Sequence, residues 1–305
     1  MIDAKPLASR SMNPMAMGVA AAAASSFLGG TSVAATRFIV GAADPILLGV
    51  LRFGIGALCL LPLIRIGRGP LPARRDLPAI FGLGVLFFAA FPWFFNASLA
   101  LTTAARGSLA LSTLPLLTLA VAVVLGREQA GGRKVAGILV AVTGVAVSLH
   151  PKLSAAPEGA WRGDLLMVGA AACGAVYNVL VRPYLRRASP LAVTTCGMLA
   201  GAAALTVAEI AFGSFSPLAD FGPAAWAVIV YLGVVGAALT FLLWSLGLLH
   251  ATPTVTALTV TVNPLVSAVL GVFLLDEPLS AAFGFGLFAV VAGLALAARR
   301  PPGLT

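Results

Sequence analysis

Ser108–Glu128 reads SLALSTLPLLTLAVAVVLGRE, and Ala257–Glu277 reads ALTVTVNPLVSAVLGVFLLDE. Each is an apolar run long enough to span a bilayer. Each has a proline at its eighth position and an acidic residue just past its last apolar turn. Pro115 corresponds to Pro264 and Glu128 to Glu277, an offset of 149 residues. The same offset carries Gly137 onto Gly286 and Gly144 onto Gly293. A register held over that distance marks an internal duplication.

Composition places the duplicated units in a membrane. The 305-residue chain is 60% hydrophobic and only 10% charged, with a mean hydropathy of +1.04. A soluble domain is nearer half apolar and a quarter charged, so this chain has too little polar surface to cover a soluble globule. The net charge of +9 does not point to nucleic acid, because the basic residues sit in short loops between apolar runs and no nucleic-acid motif is present. Cys59, Cys173 and Cys196 all lie inside apolar runs and read as packing residues without disulfides. No metal-ligand spacing, Ser-His-Asp set, paired carboxylates or phosphate loop occurs. No cofactor, no metal and no enzymatic activity are therefore expected.

Runs of roughly 17–25 apolar residues give ten predicted spanning helices: Met15–Thr36, Pro45–Ile64, Leu77–Leu101, Ala105–Leu125, Lys134–Leu149, Gly163–Arg182, Pro190–Phe212, Pro223–Leu248, Thr254–Leu274 and Ala281–Ala298. The distribution of lysine and arginine sets the orientation. With a cytoplasmic N-terminus, the inside segments carry Lys5, Arg10, Arg65, Arg68, Arg74, Arg75, Arg127, Arg133, Lys134, Arg182, Arg186, Arg187, Arg299 and Arg300, and the outside segments only Arg37, Arg106, Lys152 and Arg162. That asymmetry puts both termini in the cytoplasm.

Matching Gly18 to Gly163, Arg37 to Arg182 and Pro45 to Pro190 aligns helix 1 with helix 6. This register differs by four residues from the later one, so one small insertion separates the two blocks. The expected organisation is all-α: residues 1–149 form a first five-helix repeat, helices 1–5, and residues 150–305 a second, helices 6–10. Five is odd, so the second repeat enters the membrane from the opposite side and the two are inverted. In secondary transporters such an arrangement puts the substrate site near the midplane, between the repeats.

Ten helices, a five-plus-five repeat and the motifs L-P-L-L-x(8)-G-R-E (Leu114–Glu128) and N-P-L-V-x(8)-L-D-E (Asn263–Glu277) resemble the drug/metabolite transporter superfamily, and within it the ten-helix EamA-type exporters. The resemblance runs from Met15 to Arg300. In length and alanine-rich composition the chain is similar to the bacterial aromatic amino acid exporters of that group, whose other members export threonine, homoserine, cysteine derivatives or cationic drugs. It implies a multi-pass protein of the bacterial inner membrane, in contact with lipid and a small-molecule substrate; a monomer is expected, although the sequence does not fix the oligomeric state. Its cavity, lined by helices of both halves, would open alternately to each side.

Several residues are candidates for lining that cavity. Thr256, Thr259, Asn263 and Ser267 share one face of helix 9, spaced three, four and four apart, with Ser108, Ser112 and Pro115 as a neighbouring stripe in helix 4. The face reads as a wet cavity wall or as interhelical hydrogen bonding. Helix 3 holds FFAAFPWFFN (Phe87–Asn96) and helix 8 TFLLW (Thr240–Trp244), and the repeat register matches Phe95 with Trp244. An aromatic substrate could stack on such rings, with Asn96 bonding its polar end; the alternative is phenylalanine facing lipid. Trp244 is preferred to Trp93 because Tyr177 and Asn178 lie at a comparable depth. Arg52 stands well inside an apolar run. It could bind a substrate carboxylate, snorkel toward the outer interface or pair with Glu209. Glu128 and Glu277, at helix ends, read as structural. With no titratable group at the membrane centre, transport is expected to run down the substrate's own gradient. The competing readings are a lipophilic drug or cation exporter of the same superfamily and a non-transporting membrane scaffold.

Overall fold

The computed structural model describes residues 13–39, 44–99, 101–102, 104–153, 158–212, 221–275 and 281–298. All the secondary structure among them is helical. Helix 1 spans Pro14–Ile39, helix 2 Pro45–Gly67, helix 5 Gly132–Leu153, helix 7 Pro190–Phe212 and helix 10 Ala281–Ala298. Helix 6 runs over Ala160–Leu180 and continues as Arg182–Arg187. Helices 2, 3, 6, 7 and 8 are each long and apolar enough to cross a membrane. Proline at the first position of helices 2, 7 and 8 gives up an N–H that would have no intrahelical partner, and Asp44 caps helix 2 by accepting from Ile46 N at 2.8 Å.

The other four helices are interrupted, in matching pairs. Helix 3 passes from Leu77–Val85 through a π turn, Leu86–Ala90, into Phe91–Leu99. Helix 8 does the same: Pro223–Gly233, a π turn at Val234–Leu239, then Thr240–His250. Helix 4 is split into Ala104–Leu111 and Leu114–Val124, and helix 9 into Pro253–Leu258 and Val262–Leu275 with a 3-10 turn, Thr259–Thr261, between them. The last pair of breaks has a covalent cause. Pro115 and Pro264 have no N–H to give the preceding turn and crowd its carbonyls. Hydroxyls take up the slack: Thr113 bonds Ala110 O at 2.7 Å, Thr259 bonds Thr256 O at 2.8 Å and Thr261 bonds Leu258 O at 2.7 Å.

The repeat registers reappear as reciprocal close approaches. A Cβ on Gly137 would stand 2.6 Å from the carbonyl oxygen of Gly293, and one on Gly293 2.5 Å from that of Gly137. Farther along, a Cβ on Gly144 would stand 3.0 Å from Gly286 O. Helices 5 and 10 therefore cross antiparallel, Gly137 facing the equivalent of Gly144 and Gly144 the equivalent of Gly137, as a two-fold axis between them requires. The same symmetry relates Gly18 against Ala251 to Gly163 against Thr102, and Gly56 against Ala237 to Gly201 against Phe88. The first pair pins helix 1 on helix 8 and helix 6 on helix 3. The second pins helix 2 on helix 8 and helix 7 on helix 3. Within a bilayer no solvent-driven burial holds helices together, so close backbone approach at small residues is a principal source of cohesion.

This packing makes a sharp distinction between glycines. Gly293→Leu should lower stability by about 1–3 kcal/mol through forced separation of helices 5 and 10. Gly82→Ala, where an added Cβ meets nothing within 4 Å, should be neutral or stabilise by up to ~1 kcal/mol through helix propensity. Denaturation of the purified protein in detergent checks both.

Candidate functional site

The centre of the bundle is an aromatic cluster built from helices 2, 3, 6 and 8. Tyr177 is 2% exposed and its ring stacks on that of Phe87, with centroids 4.0 Å apart and an interplanar angle of 9°. Phe241 meets Phe87 edge-on at 5.5 Å and Phe88 at 5.0 Å, and Phe53 of helix 2 completes the group against Phe88 at 5.5 Å. Such offset and edge-on pairs add about 0.5–1.5 kcal/mol beyond burial. The π turn in helix 3 rotates Phe87 and Phe88 inward, leaving Trp93 exposed.

Beyond the stack, toward the end of the bundle where helix 6 finishes, lies a polar layer. Trp244 donates its Nε1–H to Asn178 Oδ1 at 3.0 Å, and Asn178 is fully buried with its Nδ2 unpartnered. Thr194 and Ser245 share a hydroxyl bond of 2.7 Å, and the Tyr177 hydroxyl reaches Ser245. On the other side of the stack, Arg52 donates from Nη2 to Gly236 O at 2.8 Å. Gly236 lies in the π turn of helix 8, where the wider hydrogen-bonding pattern leaves carbonyls in need of donors; its neighbour Val235 O takes the Thr240 hydroxyl at 2.7 Å. The Arg52 guanidinium carbon stands 5.5 Å from the Phe53 ring centroid, and its Nε is buried without a partner. Arg52 does not pair with Glu209. Both carboxyl oxygens of Glu209 are buried without a hydrogen-bond donor among the described residues, and the group lies beside Asp44.

The residues singled out in the sequence thus fall into separate places. Tyr177, Asn178 and Trp244 come together. Asn96 does not join them: it lines a cavity of about 250 Å³ with Asp44, Gly49, Trp93 and Leu205, at the end of the bundle where helix 2 begins. Phe95 stays with helix 3, half-buried, its ring 6.1 Å from that of Phe91. The reason is the inversion itself. Phe95 and Trp244 are repeat equivalents, and a two-fold axis in the membrane plane carries equivalents to opposite depths.

Thr259 bonds across to helix 1, through Ser26 Oγ at 2.9 Å and Ala22 O at 3.1 Å. Asn263 packs its amide on Gly29 of the same helix, where a Cβ would stand 3.2 Å from Nδ2, and its Oδ1 is buried without a partner. The side chains of Ser108 and Ser267 lie outside the described residues, as does Glu277. Phe87, Ser245 and Gly236 were not identifiable from the sequence: a π turn leaves no residue signature, and it decides which phenylalanine of the FFAAFPWFF run faces inward.

The relatives of the chain agree with this architecture. It is 24% identical over 265 residues to the uncharacterized transporter YyaM of Bacillus subtilis, covering 85% of this chain and 86% of that one. An uncharacterized transporter of Archaeoglobus fulgidus is 25% identical over 275 residues, covering 89% and 95%. The uncharacterized protein PA1977 of Pseudomonas aeruginosa is 30% identical over 259 residues, covering 84% of each chain. A solved crystal structure with 23% sequence identity superposes with a TM-score of 0.77 over 92% of this chain and 96% of its own, and so shares its fold. The profile of the EamA-like transporter family matches twice, at residues 16–149 and 161–299, once for each repeat. The chain is a member of the EamA-like transporter family, within the drug/metabolite transporter superfamily.

Proposed function

We propose that the protein exports small metabolites, amino acids with an aromatic preference, by alternating access through a central cavity between the repeats at 1–149 and 150–305. The observation that carries this reading is Arg52. It stands seven residues into helix 2, about 10 Å of helical rise. Its charge is met by one backbone carbonyl, and no carboxylate pairs with it among the described residues. A charge at that depth is costly unless it has a task, and a substrate carboxylate would supply both the counter-charge and an acceptor for the free Nε. The aromatic body of the substrate would lie toward Phe87 and Tyr177, with Trp244 and Asn178 beneath it. Asn263, Thr259, Ser267 and Ser108 would line the polar wall from helices 9 and 4, and Asn96 and Phe95 the passage at the opposite end. The setting is a bacterial inner membrane, with both termini cytoplasmic and the monomer as the working unit. No catalytic step and no cofactor is involved.

One observation favours the second reading, export of lipophilic cations: the carboxyl groups of Glu209 and Asp44 lie side by side near the Asn96 cavity. Arg52, which would repel a cation, weighs against it.

In liposomes containing the purified protein, an aromatic amino acid should compete for flux and the matching amine without its carboxylate should not. Arg52→Gln should weaken uptake of the acid by roughly ten- to hundredfold, the loss of a charge-assisted hydrogen bond. Equal competition by acid and amine, or a better amine, would favour the cation reading.

Transport should follow the substrate's own gradient without obligatory proton exchange. Asp44, Asp76, Asp164, Asp220 and Asp276 lie at or beyond the ends of the apolar runs, and Glu209 stands about one turn from the end of helix 7. An imposed pH gradient should therefore produce no uphill accumulation. Accumulation that collapses with an uncoupler, and is lost in Glu209→Gln, would instead make Glu209 the coupling group.

A further inference from the structure

The two halves of helix 4 do not meet helix 9 alike. At one end of the bundle Leu114–Val124 packs along Pro253–Leu258, and every residue from Pro253 to Thr261 is buried. The symmetry equivalent of that contact, Ala104–Leu111 against Val262–Leu275, has no comparable packing among the described residues, and Leu109 and Ala110 are only half-buried. Two repeats related by symmetry that pack unequally at their two ends describe a bundle shut at one end.

What fastens the shut end is electrostatic. Helix 9 begins at Pro253, which has no N–H, so the first donor needing a partner is Thr254 N. Glu128, in the turn after helix 4, accepts that N–H on Oε1 at 3.1 Å, while its Oε2 takes Lys134 Nζ at 2.6 Å. The Glu128 side chain is 3% exposed, so a carboxylate is held in a nearly dry position at the positive end of a helix. The other limb of the same loop is held by a cation. Arg182, at the end of helix 6, donates from Nε to Leu248 O at 3.1 Å and from Nη2 to Ala251 O at 3.0 Å. These are carbonyls at the C-terminus of helix 8, where a positive charge is favoured. The loop between helices 8 and 9 is thus held at both limbs, by Glu128 from the turn after helix 4 and by Arg182 from the end of helix 6.

We propose that Glu128 is the positioning residue that keeps the helix 4–helix 9 gate closed at this end, by capping the first turn of helix 9 from across the bundle. Breaking the bond to Thr254 N releases Pro253–Leu258 from Leu114–Val124 and shifts the protein toward the state open at the Glu128 end. The inference rests on the transport reading only in that the bundle has two such states. It needs no knowledge of the substrate.

The test is thiol labelling without substrate, in a background with Cys59, Cys173 and Cys196 replaced. Ala257→Cys reports the shut end and Ala110→Cys the other. An impermeant maleimide is applied separately to each side of the membrane. With Glu128 present, Ala257→Cys should be protected. In Glu128→Ala its labelling from the cytoplasmic side should rise about tenfold, the population shift expected from losing one charged hydrogen bond, and labelling of Ala110→Cys should fall. Glu128→Gln, which keeps an acceptor for Thr254 N but loses the ion pair with Lys134, should lie between the two. Unchanged labelling of Ala257→Cys in Glu128→Ala would overturn the proposal. So would a rise at both positions together, since that reports a loosened fold. A failed amino acid flux assay beside reciprocal labelling would remove the substrate assignment and leave the gate standing.

Discussion

A backbone inside a bilayer has no water to satisfy its N–H and C=O groups, and every departure from regular helix must find its partners within the protein. Among the described residues, and apart from the bend at Val181 near the end of helix 6, the chain departs four times, at the π turns of helices 3 and 8 and at the proline breaks of helices 4 and 9. All four fall in the interior of the bundle, and three of the four have identifiable compensation. Threonine hydroxyls bond the carbonyls around Pro115 and Pro264, and Thr240 and Arg52 bond carbonyls of the second π turn. The polar residues of the interior are there first because the chain is interrupted there. Arg52 Nε, Asn178 Nδ2 and Asn263 Oδ1 are among the buried groups left with an open donor or acceptor, and the proposed substrate site draws on them.

The repeats are alike in their joints and unlike in what they present to the centre. Where Gly174 of helix 6 meets Leu114, its equivalent Gly29 of helix 1 meets Asn263. Where Tyr177 stacks on Phe87, their equivalents are Ser32 and Gly236, in contact beside Arg52. Helices 3 and 6 bring Phe87, Phe88 and Tyr177 to the centre, joined by Phe53 of helix 2 and Phe241 of helix 8. Its polar groups are Ser32 of helix 1, Arg52 of helix 2, Asn178 of helix 6 and Asn263 of helix 9. Duplication supplied a symmetric frame, and divergence gave its middle unlike groups on the two sides.

Much of the fold was legible in the chain itself. Helices 7 and 10 begin and end where apolar runs and flanking proline put them, and the two registers read from Pro115/Pro264 and Gly18/Gly163 return as reciprocal glycine contacts. Hydropathy does not register breaks: an apolar run looks continuous across Ser112–Thr113 and across Thr259–Thr261, although proline marks both. The π turns have no such mark. The site was legible only in part. The apolar runs put Tyr177, Asn178 and Trp244 at one depth, and they come together there. Phe95, with its neighbour Asn96, is tied to Trp244 only by sequence equivalence, which under inversion means opposite depth. Glu128 read as a structural helix-end residue because its partner, a backbone N–H 126 positions away, is invisible to any local pattern.

The central claim is that a transport site with an aromatic wall lies between the inverted repeats, at Tyr177 and Trp244. The most direct measurement is the initial rate of labelled aromatic and small aliphatic amino acid uptake into liposomes holding the protein, its Tyr177→Ala variant or its Trp244→Ala variant. The account predicts protein-dependent uptake of the aromatic substrate, weakened several-fold to about tenfold by either substitution as ~0.5–1.5 kcal/mol of ring contact is lost, with aliphatic uptake little changed. No uptake above empty liposomes, or an equal loss for both substrates, would contradict it.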